Sequence, residues 1–160
     1  MGAKLAKPDV PVVAAIGDGD FMMTMQEMAT AVQYDIPVVV FLVNNSGWIS
    51  IKDLQMTAYG RDRAYACDFE KGGKPYTPDF EKVAAAFGCH AEKATRAEQI
   101  RPALRRALDS GKPALVEVIV NRQYPHTGSP AVGWWDVPVP TYLTDRRKEY
   151  EKASAEEVLQ

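Results

Sequence analysis

Val12-Val13-Ala14-Ala15-Ile16-Gly17-Asp18-Gly19-Asp20-Phe21 and, two dozen residues on, Val38-Val39-Val40-Phe41-Leu42-Val43-Asn44-Asn45-Ser46-Gly47 decide the fold of this chain. Each is an apolar run that stops at a polar, glycine-containing turn. Apolar residues in succession, without alternation, mark a strand covered on both faces, as in a parallel sheet between helices. Ala114 to Val120 is a third, nearly continuous run of this kind.

Amphipathic stripes lie between the runs. Phe21, Met25, Met28 and Val32 recur at helical spacing, with Met22, Met23, Met25 and Met28 read as core. Phe80, Val83, Ala84 and Phe87 form a second stripe ended by Gly88, and Ile100 to Leu108 a third ended near Gly111. The order is that of an α/β domain, a three-layer parallel sheet with helices on both faces. A short polar strand is expected at His90 to Thr95. Residues 60–78 read as a surface excursion. Residues 123–160, proline-rich and then charged, read as a segment wrapping over the domain formed by residues 1–122, ending in a helix from Thr144. The Arg146-Arg147-Lys148 run there reads as a solvated face.

The 160 residues suffice for one packed core, and the formal charge of −2 comes with scattered cations. A nucleic-acid surface needs a basic patch, and none is present. No apolar run approaches the roughly 20 residues of a membrane span, and residues 1–9 lack the apolar centre of a signal peptide. Cys67 and Cys89 form no metal-ligand spacing and fit unpaired thiols in a cytoplasmic protein.

The two turns carry the chemistry. Magnesium takes oxygen ligands in octahedral geometry and sits beside phosphates on one or two protein groups. Asp18 offers a carboxylate oxygen, Asn45 an amide oxygen and Gly47 a backbone carbonyl; two phosphate oxygens and a water would complete the set. Gly17 and Gly19 allow a tight turn into a helix starting near Asp20, whose unpaired amides attract phosphate. Alone, either motif is an ordinary turn. After successive buried strands, with one helix between them, they point to a magnesium-bound diphosphate.

Gly17-Asp18-Gly19-Asp20-Phe21-Met22-Met23, Gln26-Glu27-Met28-Ala29-Thr30-Ala31-Val32, Ile36-Pro37-Val38 and Asn44-Asn45-Ser46-Gly47 together resemble the thiamine-diphosphate-dependent enzymes of the acetolactate synthase type. The resemblance covers residues 1 to about 120. It implies the thiamine diphosphate-binding fold, incomplete at its N-terminus, with Gly2-Ala3-Lys4-Leu5-Ala6 as the helix before the first strand. It implies Mg²⁺ on Asp18, Asn45 and the Gly47 carbonyl. Gly17, Gly19 and Asp20 would lie at the diphosphate, and Trp48 and Ile49 near the middle of the cofactor. Ile51 stands where pyruvate decarboxylases of the family carry a glutamate acid, which disfavours that activity. Leu54 stands where typical acetolactate synthases carry a pocket tryptophan, which leaves the acceptor open.

The family also needs a glutamate on a separate pyrimidine-binding domain, and nothing here resembles that domain. The chain is therefore expected to be a fragment or one subunit, inactive alone, with no catalytic residue of its own. Its partners would be a pyrimidine-binding domain or subunit in a homo-oligomer, with a 2-oxo acid as substrate; a domain outside the chain leaves room for FAD. The complete enzyme would decarboxylate a 2-oxo acid and join the product to an acceptor. The alternatives are one subunit of a two-chain, sulfopyruvate decarboxylase-like enzyme, or a non-catalytic interaction module. Packing or capping is favoured for Glu27, and a surface or interface role for His126, Trp134 and Trp135. A nucleotide domain ranks last, since neither a P-loop lysine nor a Gly-x-Gly-x-x-Gly run is present.

Overall fold

The computed structural model describes residues 1–123 and 137–156. His126, Trp134 and Trp135 lie outside these residues. In chain order the elements are α1 (Gly2–Ala6), β1 (Val12–Gly17), α2 (Asp18–Thr24), α3 (Glu27–Gln33), β2 (Val38–Asn44), α4 (Ile49–Tyr59), β3 (Glu70–Lys71), β4 (Lys74–Pro75), α5 (Phe80–Ala86), β5 (His90–Ala94), α6 (Ala97–Asp109), β6 (Ala114–Ile119) and α7 (Thr144–Glu156). They fall into two units, Met1–Gly47 with Phe69–Arg122, and Trp48–Asp68 with Gln123–Gln160.

The first unit is built on a parallel sheet in the order β1-β2-β6-β5. Alternation, hidden in the sequence because both faces are apolar, sorts its side chains. Val40, Leu42 and Leu115 face Phe21 of α2, Met28 of α3 and Phe80 and Ala84 of α5. Val39, Ala94, Ala114, Val116 and Val118 face Ala103 and Ala107 of α6, whose small side chains let the helix lie close to the sheet. Three layers result, as the sequence implies. The short polar strand is β5 and belongs to this sheet.

Several local expectations are revised. β1 is covered less than its apolar run implies, because it is an edge strand among the described residues; Val13 is 44% exposed. The first amphipathic stripe is split into α2 and α3 at Met25-Gln26. There the Met28 and Ala29 N–H groups donate to carbonyls three residues back, a tighter turn that keeps both halves on one face. Met22, Met25 and Met28 pack into the core, but Met23 points outward, 66% exposed. The helix begins at Asp18 rather than near Asp20, so Asp20 sits in the first turn, where its charge complements the helix dipole, and does not cap.

Residues 69–78 contribute the hairpin of β3 and β4, turned by Gly72 and Gly73 at φ +61° and +72°. Two successive positive φ values match the twist of a two-residue hairpin and suit glycine. Gly88 follows α5 at φ +92°, and a Cβ there would meet Val32 Cγ1 at 3.5 Å, an ordinary contact. The cost of a side chain at Gly88 is therefore the cost of its backbone conformation. Gly88→Ala is expected to cost about 1–2 kcal/mol. It should lower the urea midpoint at unchanged m-value; an unmoved midpoint would show that the backbone relaxes there freely.

The second unit holds α4 and α7. The Arg146 guanidinium donates through Nε to the Ala58 carbonyl at 3.1 Å and through Nη2 to that of Thr57. These carbonyls end α4 and lack helical partners. Arg147 donates to the Val139 carbonyl at 2.9 Å and pairs with Glu151. The basic run is thus not simply a solvated face: its first two members tie backbone together. Gln55 brackets Tyr65, accepting its N–H and donating to its carbonyl, and Lys52 pairs with Asp68 at 2.8 Å. Among the described residues no helix is long and apolar enough to cross a membrane.

Candidate functional site

Strands β1 and β2 are parallel neighbours, so Asp18 and the Asn44–Gly47 turn leave the sheet at the same edge. Asp18 is fully buried in the first residue of α2, and its Oδ2 accepts the Gly47 N–H at 3.1 Å. That bond joins the two motifs directly. The Asp18 Oδ1 is buried with no hydrogen-bond partner, and so is the Asn45 Oδ1. Burial pushes the Asp18 carboxyl above the usual carboxylate range, although backbone N–H groups of Asp18, Gly47, Asn45 and Gly19 pull against it. A buried oxygen without a donor costs about 1–3 kcal/mol. These two oxygens belong to expected magnesium ligands, and a hard cation is what they, one of them anionic, would satisfy. Glu117 Oε2, also buried without a hydrogen bond, faces the Lys93 ammonium at 3.1 Å instead. The residues present fit the ion.

Gly17 and Gly19 do not turn the chain by the expected means. Gly17 is extended at φ −76° and ψ 160°, and Gly19 is buried inside α2. Left-handed backbone occurs instead at Ser46, φ +58°, between the two other expected ligands. Such a conformation costs a residue with a side chain about 1–2 kcal/mol. It is held from both sides: the Ser46 N–H donates to Asn44 Oδ1 at 3.1 Å, and its carbonyl accepts the Phe69 N–H at 2.9 Å. Asn44 and Asn45 therefore differ in kind. The first is 3% exposed and fully engaged; the second has its Oδ1 buried without a hydrogen-bond partner.

Beneath the turn lies a polar cluster that the sequence reading passed over. On the α2 and α5 face of the sheet, the ends of the strands change from apolar to polar: Leu42 gives way to Asn44, Leu115 to Glu117 and Ala91 to Lys93. Asn44 Nδ2 donates to Glu117 Oε1 at 2.7 Å and to Thr77 Oγ1 at 2.9 Å. Lys93 Nζ lies 3.1 Å from Glu117 Oε2 and 2.7 Å from Asp79 Oδ1. Burial pushes the Lys93 ammonium down, but Asp79 and Glu117 more than offset it and hold it above its ordinary value. Lys93 and Lys82 hold Asp79 at about 2. The signal was present: Glu117 is the one charge inside the third apolar run.

The remaining expected site residues are placed as follows. Asp20 is exposed, with Oδ2 leaning back to 3.4 Å from where a Cβ on Gly17 would be. Trp48 and Ile49 are half-buried at the start of α4, in the second unit. Glu27 is the first residue of α3 and exposed. Burial pushes the Cys67 and Cys89 thiols up, Cys89 to about 11, so neither is poised as a nucleophile. Among the described residues no three His, Cys, Asp or Glu side chains gather into a metal cluster.

Comparison with known proteins bears on this geometry. The family described as "Thiamine pyrophosphate enzyme, C-terminal TPP binding domain" matches residues 1–118. A probable acetolactate synthase large subunit of Methanococcus aeolicus is 35% identical over 121 residues, 76% of this chain and 19% of that protein. A 3D-(3,5/4)-trihydroxycyclohexane-1,2-dione hydrolase of Halalkalibacterium halodurans is 33% identical over 155 residues, 94% of this chain and 24% of that protein. Among solved structures, a thiamine diphosphate-dependent 4-hydroxybenzoylformate decarboxylase of Rhodococcus jostii RHA1 superposes with a TM-score of 0.66 at 28% identity, covering 76% of this chain and 22% of that one. The chain spans about a fifth to a quarter of the length of these relatives.

Proposed function

This chain belongs to the family of thiamine pyrophosphate enzyme C-terminal TPP-binding domains, and we propose that it holds the magnesium-bound diphosphate of thiamine diphosphate on Asp18, Asn45 and the Gly47 carbonyl. The observation that carries this is the pair of buried, unpartnered oxygens on Asp18 and Asn45. Asp18 contributes the charge that offsets the cation, and Gly47 is fixed against it through its N–H. Gly17, Gly19 and Asp20 lie beside the diphosphate, where Gly19, lacking a side chain, admits close approach, and Trp48 and Ile49 lie near the cofactor's middle. Thiamine diphosphate, when bound, supplies the electron sink for making or breaking a carbon–carbon bond next to a carbonyl.

The complete enzyme acts on a 2-oxo acid, as a transferase or lyase of the acetolactate synthase type. It pairs this chain with a pyrimidine-binding domain or subunit, in a homo-oligomer, and the chain alone is inactive. A second reading, hydrolytic cleavage beside a carbonyl, is favoured by the alignment with the H. halodurans hydrolase over 94% of the chain.

Thermal unfolding with Mg²⁺ and either thiamine diphosphate or inorganic diphosphate tests the site. Both ligands are expected to raise the melting temperature only when magnesium is present, because a ligand bound by the folded state alone stabilises it. Inorganic diphosphate needs no pyrimidine domain. A folded chain that responds to neither ligand would favour the non-catalytic module and end the proposal.

A further inference from the structure

The polar cluster meets the turn through Asn44 Oδ1, which accepts the Ser46 N–H, and that contact depends on which way the Asn44 amide faces. An amide carries a donor end and an acceptor end, and its partners choose between the two orientations. Thr77 does not choose, because a hydroxyl can donate or accept. Glu117 does. Ionised, it only accepts, so it takes the Nδ2 end at 2.7 Å and turns Oδ1 toward the Ser46 N–H. Its second oxygen faces the Lys93 ammonium at 3.1 Å, a group that only donates. Both oxygens of the residue at 117 must therefore be acceptors, which a carboxylate satisfies and an amide of the same shape does not.

Replacing a buried ion pair with apolar residues is often neutral or stabilising, so stability gives little reason for a charge in this strand. Its consequence for the turn supplies one. We propose that Glu117, acting through Asn44, is a positioning residue for the Asn45–Gly47 turn, locking the Asn44 amide so that Ser46 keeps its left-handed backbone and Asn45 and Gly47 stay presented to the cation. The cation in this statement rests on the magnesium reading above; the locking of the turn does not.

The test uses the full chain with two readouts: exchange protection of the Ser46 amide without metal, and Mn²⁺ affinity from electron paramagnetic resonance. E117Q keeps the shape but leaves one acceptor to serve two donors. It is expected to lower Ser46 protection and Mn²⁺ affinity about tenfold each, the scale found for groups that orient metal ligands. N44D/E117Q moves the carboxylate to position 44. There one oxygen accepts from Ser46 and the other from the amide at 117, whose own oxygen faces Lys93, so both readouts should return toward the parent values. A merely structural Glu117 predicts no such recovery. E117Q within about twofold of the parent on Ser46 protection, or no recovery in N44D/E117Q, overturns the proposal.

Should E117Q not fold, N44A removes the same contact while leaving the Lys93–Glu117 pair in place. Unchanged Ser46 protection in that variant overturns the proposal equally. Asp18→Asn separates the two readings. If the parent takes up no Mn²⁺ that Asp18→Asn abolishes, the magnesium reading fails, and the Ser46 amide alone decides the positioning.

Discussion

Asp18→Asn is expected to make the ligand-free chain more stable and, in the same step, unresponsive to magnesium and thiamine diphosphate. The carboxylate is fully buried, one of its oxygens has no partner, and burial holds its pKa above the ordinary value of 3.8. Between the unfolded and folded pKa values the native state binds more protons than the unfolded one. Stability therefore falls as pH rises through that interval and stays lower above it. Asparagine keeps the shape and removes the charge. A gain of about 1 kcal/mol would raise the melting temperature by roughly 2–4 °C. The parent, by contrast, should gain about 2.7 kcal/mol at a ligand concentration 100 times the dissociation constant. The order of the two melting temperatures should thus reverse when ligand is added at neutral pH. In the ligand-free parent the decline from pH 4 upward should be visible, and in the variant it should be absent. A variant that melts below the parent without ligand, and still responds to it, would sink the assignment of Asp18.

Under the proposed function Asp18 weakens the empty fold while equipping it for a ligand, and a residue of that kind stands out in sequence. Gly17-Asp18-Gly19 and Asn44-Asn45 interrupt apolar runs with groups that no core requires, and interruption shows in sequence. The strands were legible for the converse reason, since unbroken apolar runs have few other uses. What stayed hidden depends on pairing across the sheet. The reading gave Asn44 and Asn45 as one motif, whereas only the register of β2 on β6 brings Asn44 within reach of Glu117, 73 positions away. Ser46 rather than a glycine takes the left-handed backbone, and propensity pointed elsewhere because the holding groups, Asn44 Oδ1 and the Phe69 N–H, come from outside the residue. The cover on β1 was overestimated because an apolar run reports what a strand can tolerate, not which neighbours it has. Arg146 looked solvated because its partners are backbone carbonyls, which leave no trace in composition.

Phe80→Ala is expected to bring the chain close to unfolding, and the reason joins the core to the site. Phe80 is fully buried, the largest such side chain among the described residues, and its ring meets that of Phe21 edge to face at 5.6 Å and 80°. Truncating a buried phenylalanine costs about 3–5 kcal/mol, against a total stability of roughly 5–15 kcal/mol for a domain. Phe21 lies three residues after Asp18 on α2, so the Phe80 ring braces the helix that carries Asp18, the proposed acidic ligand. A gentler pair, Phe80→Leu and Phe21→Leu, measures that brace. In a urea-unfolding cycle the two should couple by about 0.5–1.5 kcal/mol, the worth of an edge-to-face aromatic contact. Additive losses would mean that each ring is held by the aliphatic core alone. The cycle also separates two ways of damaging one site. Loosening α2 moves Asp18 but not the Asn44–Ser46 contact, so Phe80→Leu should weaken the metal-dependent rise in melting temperature while leaving Ser46 amide protection near its parent value. Disturbing Glu117 should do the reverse to Ser46. A fall in Ser46 protection in Phe80→Leu, measured where that variant is fully folded, would show instead that the two halves of the site relax together.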